Sequence, residues 1–347
     1  MTKNYNIALV GLGNVNRTLA DIIQAKGSEL AEELGFTLRV TAITDWRFGT
    51  LVDPAGVDLA AVLAMRPDDT FVALGGTVPA EGSDNEEFIR TAPADIVAEA
   101  TFTNPVTGEP ALSHVRWALE AGKSVCTTNK GPVAFAVDEL KALAADNAVR
   151  FEFEGAVMSG TPVIRLASGP LKGVGMKGFS GILNGTSNYI LGRMEAGLSQ
   201  LAAIEEAQDY GYAEADPTAD IGGSDVRLKV MVLASQVLGV ELASEDVPTE
   251  GITAITPQMI SDAVGQGKHW KLIGQASKDA DGRVTAQVAP QLLDASHPLA
   301  AIPGATNAVM FDTEYLGPVT ISGPGAGRIE TAYALLSDII AIDAALA

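Results

Sequence analysis

The sequence predicts an α/β protein, with a doubly wound parallel sheet in the N-terminal part and then a second, α+β unit built on a mixed sheet. Three observations carry the prediction. An apolar run at 6–10, NIALV, breaks at Gly11-Leu12-Gly13 and passes into helical spacing. The same strand-then-helix unit recurs as far as residue 148, and such alternation builds parallel sheets with helices on both faces. From VRFEFEG at 149–155 onward, helical pieces come in a group and strand-like pieces follow, the segregated order of an α+β unit.

In chain order, NIALVGLG is a strand and turn, and VNRTLADIIQAKGSELAEELG at 15–35 is a helix with one charged face. TLRVTAITD at 37–45, DIVAEAT at 95–101 and SVCTT at 124–128 repeat the apolar run with a polar end. Between them GEPALSHVRWALEAG at 108–122 has helical spacing, and VAFAVDELKALAADN at 133–147 follows the last. The second unit opens with helical TSNYILGRMEAG at 186–197, LSQLAAIEEAQDYG at 198–211 and DVRLKVMVLASQVLGV at 225–240. Strand-like WKLIGQASK at 270–278, RVTAQVAP at 283–290 and NAVMFDTE at 307–314 come next. The glycine-rich ISGPGAG at 321–327 then leads into an amphipathic helix, RIETAYALLSDIIAIDAAL at 328–346. The expected domains are 1–154, 155–322 and a terminal helix at 323–347 that folds back onto the first.

With 347 residues, 47% of them hydrophobic, the chain buries a large core and exceeds the usual size of one domain. A net charge of −20 repels nucleic acid and anionic membranes, so neither is an expected partner. The single cysteine, Cys126, forms no internal disulfide, and the N-terminus lacks a signal-peptide layout; a reducing cytoplasm is the expected location. No apolar run reaches the roughly 20 residues of a membrane-spanning helix.

Gly11, Leu12, Gly13, Asn14 and Val15 follow the first strand and open the first helix, the setting of a Rossmann-like G-x-G-x-x-G dinucleotide loop. The first glycine permits the tight turn, and the second lets backbone approach a pyrophosphate at the helix N-terminus. Asn16 occupies the third position, normally Gly or Ala, so helix and strand must pack around a larger side chain. The second strand ends at Asp45 and Arg47, where such folds meet the adenosine ribose. An acidic residue there favours the hydroxyls of NAD and an arginine accommodates the phosphate of NADP, leaving the choice open.

Lys130, in TTNKGP at 127–132, lies at the carboxyl edge of the sheet, the edge where open parallel sheets bind ligands. Glu214, Asp216, Asp220 and Asp225 crowd together just before Lys229. A metal site, a solvated loop and a pocket for an amino group all fit such a run. The three histidines lie outside it, which weakens the metal. With Ser224 as the expected N-cap, Asp225 and Lys229 stand at i and i+4 on one helix face. Val230, Met231, Val232 and Leu233 follow Lys229, leaving its ammonium only partly hydrated, as a proton-transfer lysine requires. In ILNGTSNYIL, Thr186 or Ser187 is the expected cap of the next helix.

TTNKGP, EGAVMSGTP at 154–162, ILNGTSNYIL at 182–191 and GYAEADPTADIGGSDVRLK at 211–229 together closely resemble homoserine dehydrogenase. The likeness continues through EGITAIT, HPLA and GPGAG, and so covers essentially the whole chain. The resemblance implies interconversion of L-aspartate 4-semialdehyde and L-homoserine by hydride transfer with NADH or NADPH, in a homodimer built through the second domain. The chain resembles the short, monofunctional form, without kinase or regulatory domains. By the same resemblance Lys229 is the proton donor to the aldehyde oxygen and Lys130 assists beside the cofactor. Glu214 and Asp225 match residues that hold the substrate ammonium, Asp220 matches a further acidic position, and Thr186 borders the substrate pocket. Thr103 and Gly327 are placed near the cofactor. A structural sodium ion is implied at Glu154 and at the carbonyls of Val157, Ser159 and Thr161. The rival readings are another semialdehyde or amino-acid dehydrogenase and a silent dinucleotide-binding sensor; retention of both lysines speaks against the sensor.

Overall fold

The computed structural model describes residues 3–78 and 85–346. The chain divides into two units, Met1–Ala156 with Gly327–Ala347, and Val157–Ala326. The first runs β1 (Lys3–Val10), α1 (Asn14–Leu34), β2 (Phe36–Asp45), β3 (Gly49–Val52), α2 (Leu59–Ala64), α3 (Glu86–Thr91), β4 (Ile96–Glu99), α4 (Ala111–Glu120), β5 (Ser124–Thr127), α5 (Lys130–Asp146) and β6 (Phe151–Glu152). The second runs α6 (Val163–Ser168), β7 (Met176–Ile182), α7 (Gly185–Glu195), α8 (Gln200–Asp209), α9 (Thr218–Ile221), α10 (Ser224–Leu233), α11 (Pro257–Gly265), β8 (Lys268–Lys278), β9 (Val284–Asp294), β10 (Thr306–Thr313) and β11 (Gly317–Pro324). The terminal helix α12 (Arg328–Leu346) belongs to the first unit.

The first sheet has the order β3-β2-β1-β4-β5-β6, parallel except for β3, which pairs antiparallel with β2. Its inner strands are apolar on both faces because helices cover both; β4 and β5 are buried at every residue. Chain direction across the sheet reverses between β1 and β4, so the crevice beyond their carboxyl ends is the ligand position of a doubly wound sheet. Ala332, Leu335, Leu336, Ile339 and Ile342 of α12 join Ile7 and Leu9 of β1 and Leu19 and Ile23 of α1 in one buried cluster. Each leucine or isoleucine among them contributes about 1.5–3 kcal/mol on burial, so the terminal helix is part of this core.

The second sheet has the order β11-β10-β7-β8-β9. The mixed sheet expected here is antiparallel in all four ladders. Two strands of this second sheet escaped the sequence reading. MKGFSGI of β7 and GPVTISGP of β11 are rich in glycine and proline, and ladder bonds to β10 rather than local propensity hold both extended. ISGPGAG is therefore half strand, and the unit boundary falls at Ala326 rather than at 322. The reason is packing: a Cβ on Gly325 would come within 2.1 Å of the Asn307 side chain, so this glycine lies directly against β10. Val226 and Val230 of α10 pack one face of the sheet at Gly274. On the other face Thr320, Met310, Ser180, Gln275 and Gln287 form one register row across all five strands. Among the described residues, no helix is long and apolar enough to cross a membrane.

Candidate active site

In the first unit the glycine loop closes as the sequence requires. Gly11 has φ +82°, and a Cβ there would lie 2.9 Å from the Ala100 carbonyl oxygen, so only glycine lets the end of β1 approach the turn after β4. Gly13 caps α1 without a side-chain acceptor, and a Cβ there would meet nothing within 4 Å. Open space in front of uncapped N–H groups at Asn14 and Val15 is the cradle a pyrophosphate needs. The dinucleotide thus fits the residues present.

Asn16 strengthens the loop where the sequence suggested a weakness. Fully buried, its amide donates to the carbonyls of Val10 (3.2 Å), Gly11 (2.8 Å) and Ala98 (3.0 Å), tying β1 to β4. Asn16→Gly should therefore lower unfolding stability by about 1–3 kcal/mol, because three buried carbonyls lose the bonds of this amide, although that of Val10 keeps the Ala100 N–H, and weaken cofactor binding as the loop loosens. Chemical denaturation beside cofactor titration reads both; unchanged stability would discount these bonds.

Asp45 is drawn into the same loop. Its Oδ2 accepts from the Leu12 N–H at 2.8 Å, and its Oδ1 from the Arg47 and Phe48 N–H groups at 2.8 and 3.3 Å. The exposed Arg47 guanidinium lies 5.2 Å from the Trp46 ring centre and 5.7 Å from that of Phe48. Thr103 has a buried hydroxyl without a hydrogen-bond partner among the described residues. Gly327, φ +133°, precedes α12 in this unit.

Lys130 is the first residue of α5, half-buried at the carboxyl end of β5. The preceding Asn129 is the N-cap, yet its side chain does not cap the helix. Its amide donates instead to Glu99 Oε2 at 2.7 Å and to the Thr101 carbonyl at 2.9 Å. Glu99, at the end of β4, is fully buried. The sequence reading passed over it, although an acidic residue inside DIVAEAT was the available signal.

In the second unit two members of the acidic run, Asp220 and Asp225, meet at Asn184, also missed. The expected caps Thr186 and Ser187 lie inside α7, and Asn184 caps it, its Oδ1 accepting from the Ser187 N–H at 2.8 Å. With the same amide Asn184 donates to Asp220 Oδ1 at 2.6 Å and Asp225 Oδ2 at 3.0 Å. Ser224 likewise stands inside α10, whose cap is Gly223 at φ +84°, because the chain enters that helix through a left-handed turn. Asp225 and Lys229 do share a face: Lys229, 7% exposed, donates 2.8 Å to Asp225 Oδ2 and 2.6 Å to the Leu183 carbonyl. An ammonium has three N–H donors, and the third takes no acceptor among the described residues. Thr186 is buried and gives its hydroxyl proton to the Tyr212 carbonyl at 2.5 Å, so it orders the loop leading to Glu214. Glu214 is exposed. Burial pushes the Asp220 carboxyl above the usual carboxylate range; the Asn184 amide opposes this, the Asp225 charge adds to it, and the Lys229 and Glu214 charges act more weakly, against and with it. Asp216 accepts from the Thr218 N–H and hydroxyl and shapes the loop.

Glu154 is buried on a short turn after β6, its N–H donating to Asp338 Oδ1 at 3.1 Å. In the second unit Met158 and Ser159 take φ +58° and +51°, bracketed by the buried Val157 and Thr161. Two successive left-handed residues that are not glycine store about 1–3 kcal/mol of strain each. Among the described residues no group of three or more His, Cys, Asp or Glu is arranged to hold a metal.

Comparison with known proteins gives one family. The family model for homoserine dehydrogenase matches residues 162–340. The chain is 54% identical over 340 residues to an NAD(+)-dependent homoserine dehydrogenase of Pseudomonas canavaninivorans, covering 97% of this chain and 96% of that protein. Its fold is similar to the crystal structure of a homoserine dehydrogenase from Thiobacillus denitrificans, at TM-score 0.82 and 30% identity, covering 98% of this chain and 73% of that one. It is also similar to a hyperthermophilic archaeal homoserine dehydrogenase in complex with NADPH, at TM-score 0.80 and 29% identity, covering 99% and 98%.

Proposed function

The chain belongs to the homoserine dehydrogenase family, and on that premise we propose how its residues carry the reaction. It is an NAD(P)-dependent oxidoreductase that interconverts L-aspartate 4-semialdehyde and L-homoserine. When bound, the reduced nicotinamide supplies hydride to the aldehyde carbon. Lys229 gives a proton to the aldehyde oxygen as it becomes the hydroxyl, and in the reverse direction the neutral amine takes that proton back. The observation that carries this role is the buried ammonium with two of its three N–H donors committed and one left over. Asp225 and the Leu183 carbonyl hold the amine in place. Lys130 assists beside the cofactor. Asp220, Asp225 and Glu214 receive the substrate ammonium, and Thr186 supports their loop. Direct assay settles the assignment: turnover of homoserine with NAD or NADP, with and without Lys229.

Gly11, Leu12, Gly13, Asn14 and Val15 would hold the pyrophosphate, Asp45 and Arg47 would meet the ribose, and Thr103 and Gly327 would complete the cofactor site. Both NADH and NADPH are accepted in this reading, because Asp45 Oδ2, which takes one bond, keeps a lone pair for a ribose hydroxyl and the exposed Arg47 is open to a phosphate. Arg47→Ala should raise the Michaelis constant for NADPH about tenfold, the worth of a charge-assisted bond, and that for NADH less than about twofold. Equal effects on the two would remove Arg47 from the phosphate site.

The raised Asp220 carboxyl gives a pH signature. Substrate ammonium favours the ionised form, so binding lowers the Asp220 pKa, and homoserine affinity should fall as pH drops through its elevated free-state value. The Michaelis constant for homoserine should rise on this acid limb in the parent, and the limb should vanish in Asp220→Asn; an unchanged limb would assign it to another group.

Glu154 and the carbonyls of Val157, Ser159 and Thr161 would hold a structural sodium ion. Its support is chemical, a buried carboxylate and carbonyl oxygens being hard ligands, together with the strained turn. A homodimer through the second unit is supported by its row of uncharged side chains on the sheet face opposite α10. A cytoplasmic location fits the free, buried thiol of Cys126.

A further inference from the structure

Glu99 accepts four hydrogen bonds, all from residues of the first unit. Its Oε1 accepts from the Thr101 N–H at 3.0 Å and hydroxyl at 2.6 Å, and its Oε2 from the Thr127 hydroxyl at 2.8 Å and Asn129 Nδ2 at 2.7 Å. His114 Nδ1 stands 3.5 Å from Oε1 and 3.4 Å from the Thr101 hydroxyl. Since that hydroxyl gives its proton to Glu99, Nδ1 carries a hydrogen toward the pair, whatever the charge of the ring. His114 Nε2 in turn lies 3.1 Å from Asn85 Nδ2, and the Thr44 hydroxyl donates to Asn85 Oδ1 at 3.3 Å. One polar chain therefore follows the carboxyl edge of the sheet from the end of β2, past β4, to the first turn of α5.

Every group facing Glu99 is a donor, so an acceptor-only, ionised carboxylate is the one side chain that satisfies them all. Burying such a charge is costly unless it is fully bonded, and here each oxygen takes two short bonds. The chain also forgoes a helix cap to complete the cluster. Asn129 stands where asparagine normally stabilises a helix by about 1 kcal/mol, yet turns its amide back to Glu99. A cluster that merely filled space would not require this.

We propose that Glu99 is a positioning residue for the dehydrogenase reaction: through Asn129, Thr127 and Thr101 it clamps the β4–α4 turn to the start of α5 and so sets Lys130 against the reacting groups. The inference rests on the assignment of Lys130 to the reaction, and the test separates the two. Glu99→Gln puts an NH2 group against donors on one side of the cluster. It should lower kcat about tenfold to a hundredfold, the effect of a displacement near 1 Å at a reacting group, with the Michaelis constant for the dinucleotide within about threefold. The deciding measurement is the cycle of Glu99→Gln, Lys130→Ala and the double variant. If Glu99 acts through Lys130, the glutamine substitution costs nothing further in kcat once Lys130 is alanine; a purely structural role predicts multiplied losses. Multiplied losses, or a Glu99→Gln enzyme with parent kcat, overturn the inference while leaving Lys130 in place. A Lys130→Ala enzyme with parent kcat overturns the assignment of Lys130 and the inference with it. Should Glu99→Gln fail to fold, Asn129→Ala cuts the bond to the start of α5 alone, and the same cycle applies.

Discussion

Lys229→Ala is expected to cut turnover by about 10²–10⁴-fold, the usual contribution of a general acid, while the fold and dinucleotide binding survive. The lysine is buried, so its removal also leaves the Leu183 carbonyl and one bond to Asp225 unmet. That defect lowers stability by about 1–3 kcal/mol, which makes turnover rather than melting temperature the discriminating quantity. An exposed helical pair at the same spacing would be worth only a few tenths of a kcal/mol and would leave rate untouched. Lys229→Arg separates charge from proton transfer, since guanidinium keeps the charge and does not give up a proton near neutral pH; it should also be nearly inactive. Steady-state rates and cofactor titration on the same preparations test both. An alanine enzyme with parent turnover would remove Lys229 from the chemistry.

How much of this was legible in the sequence depends on how local each feature is. The bounds of α12 and the end of β2 at Asp45 follow from short-range periodicity, and the structure has them where the pattern put them. So does the shared face of Asp225 and Lys229, which needs only helical geometry. Asp216 reads as a loop former from Asp-Pro-Thr alone, and its bonds to Thr218 are of that kind. What escaped depends on partners far along the chain. β7 and β11 carry little strand propensity of their own and are extended because β10 pairs with both. Asn16 breaks a three-glycine pattern, and its compensation reaches Ala98 across the sheet, 82 residues away. Glu99 and Asn129 are 30 residues apart, and no spacing rule joins them. The caps at Asn184 and Gly223 were missed by two or three positions and by one, because the helix-forming run begins before the residue that looks most like a cap.

Asn184 offers the second large effect, through a substitution that keeps its local role and inverts its distant one. Aspartate caps helices as well as asparagine does, so Asn184→Asp retains the bond from the Ser187 N–H and leaves α7 intact. The amide that bridges Asp220 and Asp225 becomes a carboxylate, and three acids now meet at positions where the parent holds bonds of 2.6 and 3.0 Å. Like charges at that range do not all ionise, so at least one takes up a proton and the capacity to hold a substrate ammonium falls. Asp225 is also the partner of Lys229, and its recruitment into a proton-sharing cluster disturbs the donor as well. We expect kcat/KM for homoserine to fall about 100-fold near neutral pH, equivalent to about 2.7 kcal/mol of transition-state binding. Asn184→Ser preserves a capping oxygen and adds no charge, so its loss should be smaller, about tenfold. Thermal unfolding of both variants checks that α7 is kept. The order is the test: a serine variant worse than the aspartate variant would mean that Asn184 serves the helix and not the acidic cluster.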